Sequence, residues 1–345
     1  MTFFLELINL SRNRLQEESE DMATIKDVAK LAGVSVATVS RALNDSGYVS
    51  EESRKKVEQA IKELEFTPNE VARSLFQKSS KIIGLLLPDI SNPYFPIVAK
   101  GVEDRAQEKG YMVILGNVED NPEKETTYMK FFSQYNISGV LSVAVVKNSR
   151  HTNGPYVLLE RASDKEDYSV STDDVLGGRL AAEAIAKHAK GKVIVIAGPK
   201  EVQGSVDRLI GNIEVLKEKY IDYEVFESGT FQIGDAERIA YDLFERYTDF
   251  DSVIASNDVT ALAIIKEAHK RGLTVPEDLQ LIGYDNIPFS QLSSPGLTTI
   301  GQPAYDTGYK GATLLLNLIE KKPIHNKKVK LKPELVVRET LRKES

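Results

Sequence analysis

The chain has 345 residues, 41% of them hydrophobic, and a formal net charge of −7. That length can bury a large core and calls for about two or three domains. No run of about 18 uncharged apolar residues exists to span a bilayer, and residues 1–10 carry Glu6 without a basic start, so they are not a secretory signal. The absence of cysteine excludes disulfides, thiolate nucleophiles and cysteine metal sites, and a cytoplasmic protein is the expectation.

In chain order, residues 1–21 turn polar after Leu10 and end in an acidic cluster. They read as a non-native or disordered extension ahead of a start at Met22, with a real helical arm as the alternative. From Thr24 the apolar spacing becomes helical. Thr24 is placed to cap a helix over 25–32, Gly33 to stop it, and Ser35 to cap a second helix over 36–43. A third helix begins at about Ser50, where Glu51 and Glu52 precede Arg54, Lys55 and Lys56, and it runs through Val57, Ile61 and Leu64. Phe66-Thr67-Pro68-Asn69 breaks the pattern before a short helix over 70–76. Residues 22–80 hold nine basic and eight acidic side chains, so any nucleic-acid footprint is one local face and not a basic domain.

Within IKDVAKLAGVSVATVSRALN, residues 25–44, the positions of Ala29, Gly33, Val34 and Val39 fit a helix-turn-helix, in which a small residue and a turn glycine let two helices cross closely. A generic three-helix bundle with an incidental glycine turn would show the same periodicity. In the first case the second helix exposes Val36, Ala37, Ser40 and Arg41. Arg41 then suits guanine O6 and N7 or a phosphate, Val36 and Ala37 suit thymine methyls, and Thr24, Ser35, Thr38 and Asn44 suit phosphate oxygens.

After Ser80 short β-rich runs alternate with amphipathic stretches. Strands are expected over 82–87, 112–115, 139–145, 156–159, 193–197, 252–255 and 279–283, and helices over 97–109, 176–189, 206–219, 235–247 and 259–271. Strand-helix alternation without a hairpin signal means parallel, doubly wound α/β layers, whose ligands sit at the carboxyl ends of the strands.

TIKDVAKLAGVSVATVSRALN resembles the N-terminal signature of the LacI/GalR family of bacterial repressors, TPNEVARSL resembles that family's hinge, and LLLPDISNPYF resembles its ribose branch. The resemblance implies an all-α helix-turn-helix domain at 22–68 and a hinge helix and linker at 69–80. It further implies a two-lobed domain similar to periplasmic sugar-binding proteins at 81–345. The expected lobes are about 81–162 with 303–322, and about 163–302 with 323–341. The hinge is expected to fold on the operator, with Asn69 and Ala72 at the DNA and Leu75 as a wedge at a central base step.

For the sensor the resemblance places Asn92, Tyr94 and Phe95 of LLLPDISNPYF at the ligand, with Glu160 and Arg161 after the fourth strand. Arg208, Phe231, Asn257, Asp285 and Gln302 follow, each near a strand end. Amides, carboxylates, guanidiniums and aromatic faces together suit a neutral polyol. Asn257 as a helix cap and Asp285 as a turn former remain the alternatives for those two positions. Two features depart from the family pattern: Glu160 stands where aspartate is usual, and the stretch 147–156 is short by about one helix.

An enzyme is not expected. His151, His188, His269 and His325 lie far apart, no HExxH is present, and GPKEVQGS lacks the Gly-Lys-Ser/Thr of a phosphate loop. No catalytic residue, metal or cofactor is assigned. The expected partners are double-stranded operator DNA at the nucleoid, a small sugar, D-ribose first, and a second copy of the chain in a homodimer; no membrane is involved. Two other readings are a catabolite-control regulator with a phosphorylated carrier protein as corepressor, and a sugar-binding transport component.

Overall fold

The computed structural model describes residues 23–44, 47–66, 80–143, 154–160 and 168–343. They fall into two units, one on each side of Lys78.

In the first unit, α1 (Ile25–Ala32) starts where the Asp27 carboxylate accepts from both the backbone N–H and the hydroxyl of Thr24, at 2.9 and 2.6 Å. It ends at Gly33, whose φ of 66° is the left-handed conformation that glycine adopts without steric cost. The next helix, α2 (Val36–Asn44), starts from Ser35, whose Oγ accepts from the Thr38 N–H at 3.1 Å. Ser50 caps α3 (Glu51–Glu63). Val28, Ala29, Ala32, Val39, Val57 and Ala60 form the buried centre, and Arg54 Nη1 donates to the Ala42 carbonyl at 3.2 Å. Small residues at the centre let the helices approach closely, as the helix-turn-helix reading requires.

The second unit carries two six-stranded sheets. The elements of the first lobe are β1 (Ile82–Leu87), α4 (Tyr94–Glu108), β2 (Met112–Asn117), α5 (Pro122–Gln134), β3 (Val140–Ser142), β4 (Tyr156–Leu159) and β5 (Tyr168–Thr172). The chain then crosses into α6 (Asp174–Ala186), β6 (Val193–Ala197), α7 (Gln203–Glu218), β7 (Tyr223–Glu227), a short 3-10 turn, α8 (Ala236–Arg246), β8 (Ser252–Ile254), α9 (Asp258–Lys270), β9 (Gln280–Asp285), α10 (Pro288–Leu292) and β10 (Thr299–Gly301). It returns as α11 (Ala304–Ile319) and β11 (Lys328–Leu331), and ends with β12 (Glu334–Val336). The sheet orders are β11-β5-β4-β3-β1-β2 and β12-β10-β9-β8-β6-β7. Every pairing is parallel except β10 with β12, which is antiparallel.

The central strands are runs such as IIGLLL and VIVIA because helices cover both of their faces. Helices pack where glycines allow it. A Cβ on Gly101 of α4 would stand 2.1 Å from the Tyr305 carbonyl oxygen of α11, and one on Gly178 of α6 would stand 2.1 Å from the Arg208 carbonyl oxygen of α7.

The lobe limits differ from the expected ones. β5 and β11 pair with each other at the edge of the first sheet, so the first lobe runs to Thr172 and takes up 328–331, not stopping near 162 and 322. β5 (YSVST) and β11 (KVKL) alternate polar and apolar residues and lack the continuous apolar run that marks the central strands. The lobes are consequently joined by three passages, after β5, β10 and β11. The shortened stretch and the extension 1–21 lie wholly or mainly outside the described residues.

Candidate functional site

A cleft of about 1060 Å³ opens within the second unit, and Asn92, Tyr94, Phe95, Glu160, Arg208, Phe231, Asn257, Asp285 and Gln302 all line it. Of the ten residues expected at the ligand, Arg161 lies outside the described residues. Strand ends and helix starts position the set. Asn92 and Tyr94 lie at the turn from β1 into α4, where Asn92 Oδ1 accepts from the Tyr94 N–H at 3.1 Å. Asn257 follows β8 and caps α9, its Oδ1 accepting from the Thr260 N–H at 2.8 Å. Both roles weighed for Asn257 are compatible, because capping engages the oxygen and leaves the amide N–H groups to donate. Asp285 ends β9 at a φ of 115°, and Gln302 Nε2 donates to its Oδ1 at 2.5 Å. Gln302 Oε1 is buried without a partner among the described residues, an acceptor matched to a ligand hydroxyl.

The apolar faces come from both lobes. Phe95 packs edge-on to Tyr94 at 5.4 Å on the first, and Phe231 lies on the second, close over Gly198, where a Cβ would come within 2.3 Å of the ring. Such rings suit the apolar carbons of a sugar.

Glu160 behaves differently from the others. Its Oε1 accepts from the Tyr94 hydroxyl at 2.9 Å and the Thr307 hydroxyl at 2.9 Å, and its Oε2 accepts from the Thr172 N–H at 3.2 Å. The extra methylene therefore carries the carboxylate onto α4, β5 and α11, and it braces the first lobe beneath the cleft. Burial raises its carboxyl above the usual range, with Asp174 adding to that and the donated hydrogen bonds opposing it.

Asp174 and Tyr284 were not found from sequence. Asp174, the first residue of α6, is 4% exposed; its Oδ1 accepts from Arg208 Nε at 2.7 Å and from the Tyr284 hydroxyl at 3.0 Å. The Arg208 guanidinium lies 3.8 Å from the Tyr284 ring centre. Burial opposes the charge on Arg208, and the Asp174 carboxylate outweighs it and holds the guanidinium protonated. The Asp-Asp pair at 173–174 was the available signal, but it follows β5, a strand whose pattern was not read as one.

In the first unit Val36, Ala37 and Arg41 are exposed on one side of α2 while Val39 is buried on the other, so the residues assigned to base edges share a solvent face. Ser40 and Thr38 are half-buried. The Thr24 hydroxyl donates to Asp27, and Ser35 Oγ is engaged with Thr38, so both polar groups serve helix starts. The side chain of Asn44, and all of Asn69, Ala72 and Leu75, lie outside the described residues.

Residues 24–69 match the model of bacterial regulatory proteins of the lacI family, and residues 183–341 match a periplasmic binding protein-like domain. The ribose operon repressor of Bacillus subtilis (strain 168) is 45% identical over 326 residues, covering 94% of this chain and all of that protein. The chain belongs to the lacI family. The ribose operon repressor of Lactococcus lactis subsp. lactis (strain IL1403) is 42% identical, covering 93% of this chain and 98% of that one. Among solved structures, the lac repressor dimer bound to operator and the anti-inducer ONPF matches with a TM-score of 0.83 at 26% identity, over 93% of this chain and all of that one. A lacI-family regulator from Enterococcus faecium with bound ribose matches with a TM-score of 0.67 at 25% identity, over 75% of this chain and 98% of that one. The two ribose operon repressors are transcription regulators and not enzymes. Among the described residues no helix is long and apolar enough to cross a membrane.

The carboxylates of this lacI-family sensor set a pH dependence. Burial pushes the Asp285 carboxyl up to about 8, against Arg208, and burial pushes Asp258 up to about 6 against hydrogen bonds from Ser290, Thr299 and Ile287. Both values exceed the ordinary carboxylate range near about 4, so the folded state binds more protons than the unfolded one. Their contribution to stability is complete below about pH 4 and is lost as pH rises through the folded values. The melting temperature of the sugar-free protein is expected to fall between about pH 5 and about pH 8.5, and Asp285→Asn, which cannot titrate, should flatten the upper half of that fall. Scanning fluorimetry across pH checks this; equal slopes for the two proteins would mean that Asp285 is ionised throughout.

Proposed function

We propose that this protein is a DNA-binding transcriptional repressor of sugar uptake and catabolism genes, with D-ribose as the first candidate effector, and that the sugar releases it from its operator. The observation that carries the reading is the convergence of Asn92, Phe95, Arg208, Phe231, Asn257, Asp285 and Gln302 on one cleft between two lobes. This is a donor, acceptor and aromatic set for a polyol, on the same chain as a helix-turn-helix. Sugar bound between the lobes favours their closed arrangement, and operator affinity falls by the ratio of the sugar's affinities for the operator-binding and released states.

The active form in this reading is a homodimer, since two helix-turn-helix units meet a pseudo-palindromic site through two-fold symmetry. The edge strand β2 supports it, because Met112 is 70% exposed and Leu115 is 39% exposed on a strand that pairs on one side only among the described residues. Such an edge is normally protected or paired.

The test is fluorescence anisotropy with a labelled palindromic operator from the protein's own gene neighbourhood, at fixed and stated salt, titrated with D-ribose and other pentoses and hexoses. Nanomolar-range binding with specific release by D-ribose is expected. Operator binding that responds to no sugar would overturn the sensor assignment and favour a phosphorylated carrier protein as corepressor.

A further inference from the structure

We propose that Asp174 is a specificity-determining residue: its pairing with Arg208 removes the charge that an anionic effector would use, and so restricts the cleft to neutral sugars over their phosphate esters. The inference rests on the sugar-effector reading above and adds a residue and a selection rule to it.

The pair is built into the packing of the second lobe. Asp174 and Arg208 meet at 2.7 Å with side chains 5% and 17% exposed. Four glycines make room for them. A Cβ on Gly177 would collide with the Tyr284 hydroxyl, on Gly178 with the Arg208 carbonyl, on Gly204 with Asp174 Oδ2, and on Gly211 with the Val175 carbonyl. The Tyr284 hydroxyl takes the second bond to Asp174 Oδ1 while its ring carries the guanidinium. Arg208 Nε is thus committed to Asp174 and Nη1 donates to the Ser256 carbonyl at 3.4 Å, which leaves Nη2 and the second N–H of Nη1 to donate to ligand oxygens.

The surrounding charge points the same way. Among the described residues lining the cleft Arg208 is the sole cation, while the acidic side chains of Asp89, Glu119, Asp120, Glu125, Glu160 and Glu201 line it as well. A phosphate ester carries about −1.5 to −2 charges near neutral pH. Bringing it here desolvates it beside carboxylates, with its best counter-charge already paired. Neutral hydroxyls lose nothing by that pairing, because they need donors and acceptors and not net charge.

Calorimetric titration of the full chain with D-ribose and with D-ribose 5-phosphate tests this for the wild type, Asp174→Asn and Asp174→Glu, with circular-dichroism melts reporting folding. The wild type should prefer D-ribose by about 100-fold or more. Asp174→Asn should narrow that ratio by about tenfold or more through tighter binding of the ester, and Asp174→Glu should keep the preference. A merely structural role for Asp174 would weaken both ligands together and leave the ratio in place. An unchanged ratio in folded Asp174→Asn, or a wild type that binds ester and sugar equally, overturns the proposal while leaving the sugar reading standing. A wild type that binds D-ribose and no other neutral pentose or hexose fits both, and one that binds no neutral sugar overturns both.

Discussion

Arg342→Met is expected to lower the melting temperature of the sensor unit by about 6–20 °C. The side chain is 8% exposed, and it ties its stretch of chain to three separate segments, at His188, at Asp251 and at residues 276–278. Nη1 donates to Asp251 Oδ2 at 2.6 Å and to the His188 carbonyl at 3.1 Å. Nη2 donates to the carbonyls of Asp251 and Asp278, each at 3.1 Å, and Nε to those of Pro276 and Glu277, each at 3.2 Å. Removing one partner of such a buried pair typically costs about 3–5 kcal/mol, because the remaining carboxylate and carbonyls lose their donors in a place water reaches poorly. For a unit of this size each kcal/mol is worth about 2–4 °C.

The acid limb gives a second check. Burial acts upward on Asp251, but the hydrogen bonds from Arg342 and the Lys190 N–H outweigh it and hold its carboxyl below the usual range. A lowered folded value contributes stability above the ordinary carboxylate range that is lost as pH falls through it. The gap between wild type and Arg342→Met should therefore shrink below about pH 4. Arg342→Lys should recover only part of the loss, since an ammonium is a single point and cannot reproduce the fork. A fall of under about 3 °C for Arg342→Met would mean that the C-terminal segment is held by its apolar contacts instead.

Gly178→Val is expected to abolish sugar-dependent operator release while the operator is still bound. A Cβ at Gly178 would stand 2.1 Å from the Arg208 carbonyl oxygen, and the reciprocal contact, Gly211 to the Val175 carbonyl, is 2.2 Å. Both obstacles are backbone, so α6 and α7 must move apart by an ångström or more. Overpacking of this kind typically costs about 1–3 kcal/mol. The larger effect is geometric: Arg208 rides on α7 and Asp174 on α6, so the guanidinium leaves both its carboxylate and the cleft. A drop of at least 100-fold in D-ribose affinity is the expected result by calorimetry, with anisotropy showing operator affinity within about threefold of wild type. Near-normal sugar affinity in a folded Gly178→Val protein would show that Arg208 is not needed at the ligand.

The sequence made visible those parts of the molecule whose side chains serve local geometry. The turn at Gly33, the start at Ser35 and the runs IIGLLL and VIVIA each announce a structure that the same few residues determine. β5 and β11 announce nothing: β11, at the edge, turns Lys328 and Lys330 to solvent, and β5 beside it is YSVST, whose buried Ser169 and Thr172 are polar, so neither is an apolar run, and that placed the lobe boundary too early. α5 was missed for another reason: Asn121 and Pro122 signal its start, yet its surface is largely polar and its buried stripe is narrow, with Met129 and Phe132 as its large members.

The cleft was legible only through resemblance. Residues from 92 to 302 meet there, and no local pattern encodes a meeting of chain segments so far apart. Asp174 escaped even that, since a carboxylate beside a helix start looks like a cap until α7 is seen to bring Arg208 to it. Glu160 shows the converse, a residue whose position suggested the ligand and whose oxygens are held by Tyr94, Thr172 and Thr307.

The three passages between the lobes also fix an order of events during synthesis. The N-terminal unit draws its whole core from residues 25–66, so it can fold soon after that stretch leaves the ribosome. The first lobe cannot. Its β1 and α4 emerge early, but α11, which packs on α4 and covers β3, β4 and β5, and the edge strand β11 come more than 200 residues later. The apolar faces of Leu141, Val157 and Leu159 stay uncovered until then, while the second lobe already has most of its strands. A nascent chain of this protein thus carries a finished DNA-binding head ahead of an open sheet, and a truncation near residue 300 would leave that head attached to two incomplete lobes.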